Sequence, residues 1–212
     1  MTTKINVENN VANVNVKIEE GKNGTKVIIE PMVAQVELSE LKPGDKFKIG
    51  EFAFVKLGSR DFLGDVCILD EFIDDGKSFE FGDNNDWKES KIREYLNNDF
   101  YKKLKKIVGK DNIKEFELDL MARDGLKDYG KCTDKVALLT ERMYQDNREF
   151  LPKTGEWWWL ATPFSTPSND YTRGVCVVRG DGALSGYGCG RGYAVRPFCI
   201  FALNLLVSKV DE

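Results

Sequence analysis

The stretch SGYGCGRGY, residues 185–193, carries glycine at every second position. In an extended chain, successive side chains point to opposite faces. Gly186, Gly188, Gly190 and Gly192 would then share one face, and Ser185, Tyr187, Cys189, Arg191 and Tyr193 the other. Glycine inside a strand costs roughly 0.5–1 kcal/mol relative to alanine and offers nothing to pack. Such a segment builds no core. Two arrangements give it a purpose: another backbone passing closely over the glycine face, or a loop whose value lies in what it displays.

The surrounding chain sets the fold class. Val14, Val16 and Ile18 alternate with polar residues, GKNG reads as a turn, and TKVIIEPMVAQVEL continues as a second strand-type run. Residues 1–34 therefore read as an N-terminal β-arm that covers the domain or pairs with another subunit, and the first ten residues are expected to be disordered. LKPGDKFKIGEFAFVKLG predicts two short strands, DVCILDEF a third, IKEFELDL and KVALL two more. DWKESKIREYLNNDFYKKLKKIVG has helical spacing at Ile92, Tyr95, Leu96, Leu104 and Ile107. Asp86 with Glu89 fits a capping box at its start, and NND predicts a split into two helices, the second capped by Asn97 or Asn98. Lys102, Lys103, Lys105 and Lys106 read as a solvated helix face. Thr140 can cap a short helix through ERMYQ. The final block is strands and tight turns, with GDG at 180–182 as a hairpin turn. Early strands, central helices and a β-rich end predict an α+β fold; no βαβ alternation or phosphate-loop pattern supports a nucleotide fold.

Composition removes several function classes. The net charge is −4, which argues against binding a nucleic-acid backbone. No apolar run approaches the roughly 20 residues of a membrane span, and MTTKINVENN has no secretory apolar region, so the cytoplasm or a phage particle is the expected location. The chain holds no histidine, which removes Ser-His-Asp and Cys-His nucleophile machinery and the commonest zinc ligand. Its five cysteines, Cys67, Cys132, Cys176, Cys189 and Cys199, lack zinc-knuckle spacing and read as free thiols. Neither a metal nor a cofactor is expected.

Three strings carry the remaining signal. EWWWLATPFSTPSND holds three of the four tryptophans; at least one face of that strand should anchor the core, the alternative being an aromatic platform for sugars. VRPF places Arg196 in an apolar strand, where it needs a carboxylate or backbone carbonyls and reads as a structural hub. Cys189 lies on the displayed face beside Arg191, where a redox role would require an activated thiolate.

W-x-x-S-x-x-R-x-Y-L-N (Trp87, Ser90, Arg93, Tyr95, Leu96, Asn97), WWLATP (Trp158 to Pro163), DG (Asp181, Gly182) and VRPF (Val195 to Phe198) occur in that order. Together they resemble a family of uncharacterised bacterial and phage domains ending in W-W-L…D-G…G-V-R-P, across roughly residues 36–207. Here Ala194 stands where the pattern has glycine. That family is similar to C-type-lectin-like folds, including the variable proteins of diversity-generating retroelements. The resemblance implies a lectin-like domain over 35–212 and no catalytic residues. The calcium motifs of sugar-binding lectins are absent. In retroelement systems, randomised asparagine codons exclude Lys, Glu, Gln, Met and Trp; none of these occurs from Asn169 to Ala194, nor anywhere from Leu160 to Ser208, so the exclusion is partly ordinary β-turn composition.

The expected function is therefore non-enzymatic binding of a protein or cell-surface ligand, with Asp170, Tyr171, Arg173, Arg179, Ser185, Tyr187, Cys189, Arg191 and Tyr193 as contact residues. A structural homo-oligomer, joined through the glycine-rich hairpin or the N-terminal arm, is the alternative. An enzyme resembling the formylglycine-generating relatives of lectin-like folds would need a cysteine pair uniting Cys189 with Cys176 or Cys199.

Overall fold

Short antiparallel strands make up most of the regular structure among the described residues. The computed structural model describes residues 14–21, 24–31, 35–58 and 64–210. By internal packing the chain divides into two units, Met1–Gln35 and Val36–Glu212. In the first, Val14–Gly21 pairs antiparallel with Gly24–Pro31, in a register running from Val14↔Pro31 to Gly21↔Gly24. The middle of the expected turn, the first ten residues and residues 32–34 lie outside the described residues.

The second unit is α+β. In its largest sheet the strands Val136–Leu138, Pro197–Phe201, Asp65–Leu69, Phe52–Lys56, Lys46–Ile49 and Leu206–Val210 lie side by side in that order, and Ile113–Lys114 also pairs with Pro197–Phe201. Each strand sends bulky residues inward. Phe47 stacks on Phe54 at 5.7 Å and Phe54 meets Phe201 edge-on at 5.3 Å. A second sheet joins Trp158–Pro163, Gly174–Val178 and Leu184–Gly188, and its last hairpin closes at the GDG turn, where the Gly182 amide donates to the Arg179 carbonyl. Two smaller pairs complete the unit: Phe116–Asp119 with Lys131–Asp134, and Phe79–Glu80 with Gly192–Tyr193.

The helical region differs from expectation. Asp86 caps a single turn, Trp87–Glu89, and Ser90 then caps the α-helix by accepting from the Arg93 amide at 3.0 Å. NND does not split the helix. Lys91–Tyr95 continues through a π-helical turn, Leu96–Phe100, into Tyr101–Val108. Neither asparagine caps. Asn97 bridges the helix to the large sheet instead: its amide donates to the Val136 carbonyl at 2.9 Å and its oxygen accepts from the Lys135 and Val136 amides. Asn98 donates back to the Glu94 carbonyl. Thr140 does cap Glu141–Asp146, accepting from the Met143 amide.

Both faces of the tryptophan strand are buried. Trp158 meets Tyr144 edge-on at 5.6 Å, while Trp159 meets Phe81 at 5.7 Å and donates its indole N–H to the Phe79 carbonyl at 2.7 Å. Trp87 is fully buried and donates to Asp134, which also accepts from Arg93 at 2.8 Å. Arg196 is fully buried as well; its Nε donates to the Leu69 carbonyl at 2.7 Å and the Asp70 carboxylate lies 3.5 Å from Nη2. Among the described residues, no helix is long and apolar enough to cross a membrane.

Candidate functional site

The glycine alternation is not one strand. Leu184–Gly188 pairs with Gly174–Val178, the chain then turns through Cys189–Arg191, and Gly192–Tyr193 pairs with Phe79–Glu80. The turn is held from within: the Cys189 amide donates to the Arg173 carbonyl at 2.8 Å, and the Cys189 carbonyl accepts from the Phe81 amide at 3.0 Å. What crosses the glycines is side chain, not another backbone. The Phe164 ring occupies the space a Cβ on Gly186 would need, and the Ser78 side chain does so at Gly192. Gly188 and Gly190 have no such close neighbour.

The turn brings two tyrosines from different sheets together. Tyr187 and Tyr193 lie 5.8 Å apart, centroid to centroid. Tyr193 is fixed because the Ala194 amide donates to the Trp157 carbonyl and the Trp159 amide donates to the Ala194 carbonyl. This sets Trp157 against both tyrosines: 5.0 Å from Tyr187, edge-on, and 5.6 Å from Tyr193, stacked at 22°. Two guanidinium groups lie on the cluster. Arg179 sits 5.2 Å from the Trp157 centroid and Arg191 5.6 Å from the Tyr187 centroid. An open cleft of about 410 Å³ results, with Ser78 and Glu156 on its rim. Burial raises the Tyr193 phenol above its usual pKa, against the lowering pull of Arg191, so at neutral pH it is a protonated donor. Arginines stacked on aromatic faces hold their N–H groups in fixed directions, which suits recognition of carbonyls or carboxylates.

The expected contact residues divide between two places. Tyr187, Arg191 and Tyr193 line the cleft, and Arg179 stacks on its tryptophan. Ser185 is half-buried; as the partner of Val177 it lies on the same sheet face as Tyr187, the partner of Val175. Asp170, Tyr171 and Arg173 belong elsewhere, on the exposed loop that precedes Gly174. There Tyr171 meets Phe164 at 6.0 Å, and their side chains cover Gly174. Asn85 holds both ends of that loop, donating to the Ser165 and Gly174 carbonyls while accepting from Tyr129. Cys189 is a correction: the turn buries it, because its backbone is clamped between Phe81 and Arg173, so no thiol is displayed. Trp157, which the sequence offers either as core anchor or as part of an aromatic platform, is half-buried just before the Trp158–Pro163 strand and lines the cleft.

Burial pushes Cys67, Cys176 and Cys199 well above the usual thiol range, and the register partner of Cys199 is Cys67. Among the described residues, no three metal-ligating carboxylates or thiols gather. No curated protein and no solved structure matches the chain. Residues 63–203 match the model of one family, and the chain belongs to it: Domain of unknown function (DUF6273).

Proposed function

We propose that this chain is a non-enzymatic recognition module that binds a protein partner through the cleft formed by Trp157, Tyr187, Tyr193, Arg179 and Arg191. One observation carries the reading: two guanidinium groups stacked on a half-exposed trio of aromatic rings, in a cleft held by backbone hydrogen bonds. Trp, Tyr and Arg dominate binding hot spots because each contributes large contact area at low entropic cost. A lectin-like scaffold diversified by a retroelement, in a phage or bacterium, is the finer form of the same proposal. It is checked by sequencing the locus across a population. Variation confined to the codons of 169–194, with Trp158 and Arg196 fixed, is its expected signature.

The binding test is an array of proteins and glycans probed with the wild type, Arg191→Ala and Tyr193→Ala. A protein hit that loses about 2 kcal/mol of affinity, roughly 30-fold, in each variant supports the proposal. A hit that both variants retain would move the site elsewhere. Exclusively glycan hits would replace the partner class. Concentration-dependent self-association abolished by Tyr193→Ala would make the cleft a subunit interface.

A further inference from the structure

A second cleft, of about 300 Å³, opens between the large sheet and the helix and shares no lining residue with the aromatic site. Its floor is aromatic. Phe52 and Phe100 meet at 5.4 Å, with Phe72 and Tyr95 beside them. Most residues of the helix motif are spent on the fold: Trp87 and Leu96 in the core, Ser90 as cap, Arg93 on Asp134, Asn97 on the sheet. Tyr95 packs against Phe79 and also faces this cleft, its hydroxyl 3.4 Å from the Asp74 carboxylate. Asp74 is held at φ 47°, in the left-handed region that glycine, asparagine and aspartate occupy more readily than other residues. The π-helical turn that delivers Phe100 forms the same wall, and such turns recur at functional sites.

The cleft is lined by charges of both signs. Asp74 and Tyr95 mark one end. The other end is the turn between Lys46–Ile49 and Phe52–Lys56, where Ile107 of the helix covers Gly50. Lys48, Glu51 and Lys103 lie there, two lysines against one glutamate. Burial and the charge of Asp74 raise the Tyr95 phenol, so it remains a donor at neutral pH. Tyr95 and Lys103 lie eight residues apart along the helix, both facing the cleft.

We propose that this cleft binds a short zwitterionic peptide of dipeptide size, its free amino group at Asp74, its free carboxylate at Lys103 and Lys48, and an apolar side chain on the aromatic floor. The small volume, at the low end for ligand sites, limits the length.

Calorimetry and amide NMR titration of the full chain with alanyl-phenylalanine test this, beside the N-acetylated and the C-amidated forms of the same dipeptide. Saturable binding is expected, with shifts at Phe72, Asp74, Tyr95 and Lys103, and each capped form about tenfold weaker. Asp74→Asn, which tolerates the left-handed backbone, removes the penalty for acetylation. Lys103→Gln, on an exposed helix face, removes the penalty for amidation. No saturable binding at millimolar dipeptide, or equal affinity for all three forms, overturns the proposal, as does discrimination at one end only.

Discussion

A methyl group added at Gly180 would land on the backbone of Gly155, which also donates its amide to the Gly180 carbonyl at 3.2 Å. Two backbones cannot part without opening the turn, so Gly180→Ala is expected to cost about 1–3 kcal/mol. At Gly190 the same methyl meets nothing within 4 Å, and Gly190→Ala is expected to change stability by about 0.5 kcal/mol or less. Denaturant midpoints of the two variants measure the contrast; equal midpoints would mean that space is not what glycine provides here. Arg196 illustrates the cost of a buried charge. Its guanidinium lies 5.9 Å from the Trp158 centroid, both terminal nitrogens lack a hydrogen-bond partner, and burial lowers its pKa to about 10. It stays charged at neutral pH, and its strongest bond is to the Leu69 carbonyl.

Besides Asn85, the 124–128 segment pins the loop that carries Asp170, Tyr171 and Arg173. Asp128 accepts from the Ser168 amide and the Thr166 hydroxyl, both at 2.8 Å, and Asp124 accepts from Ser165 at 2.5 Å. The bonds from Ser168, then Thr166, hold the Asp128 carboxyl below its usual 3.8. A depressed folded pKa gives stability that is fully present above 3.8 and lost as pH falls through the folded value. Asp128→Asn should therefore melt below the wild type at neutral pH, with a gap that closes as pH drops under 3.8. Melting temperatures of both proteins across that range measure it, and a gap independent of pH would show that the charge does not pin the loop. Asp134 acts in the opposite sense: burial raises its pKa despite Trp87 and Arg93, so its contribution to stability grows as pH falls through the raised value.

At the scale of the molecule, the Val36–Glu212 unit holds a continuous core, from Leu38 to Val207. A two-stranded hairpin on its own is marginal in water, and Ile18 and Val27, register partners in the first unit, are both exposed. Deleting residues 1–35 is expected to leave one cooperative unfolding transition, with a midpoint close to that of the whole chain. Any change in assembly should appear in light scattering instead. Loss of the cooperative transition would make the hairpin part of the folding unit.

Local pattern alone determined much of this protein. Alternation located the strands around Phe47 and Phe54, an apolar run the strand around Ile68, GDG the hairpin, and Thr140 a helix start, because each rests on contacts within a few residues. The composition of 169–194 singles out Arg179, Tyr187, Arg191 and Tyr193, and the structure gathers these four around Trp157. Tertiary structure decided the rest. Cys189 turned inward because Phe81 and Arg173, remote in sequence, clamp its backbone. Asn97 stayed inside the helix because the partners that satisfy it lie on the Val136 strand. Trp157 became the centre of an aromatic cluster because Tyr193 reached it from another sheet. Local pattern reports which face a side chain takes; only long-range pairing determines what that face meets.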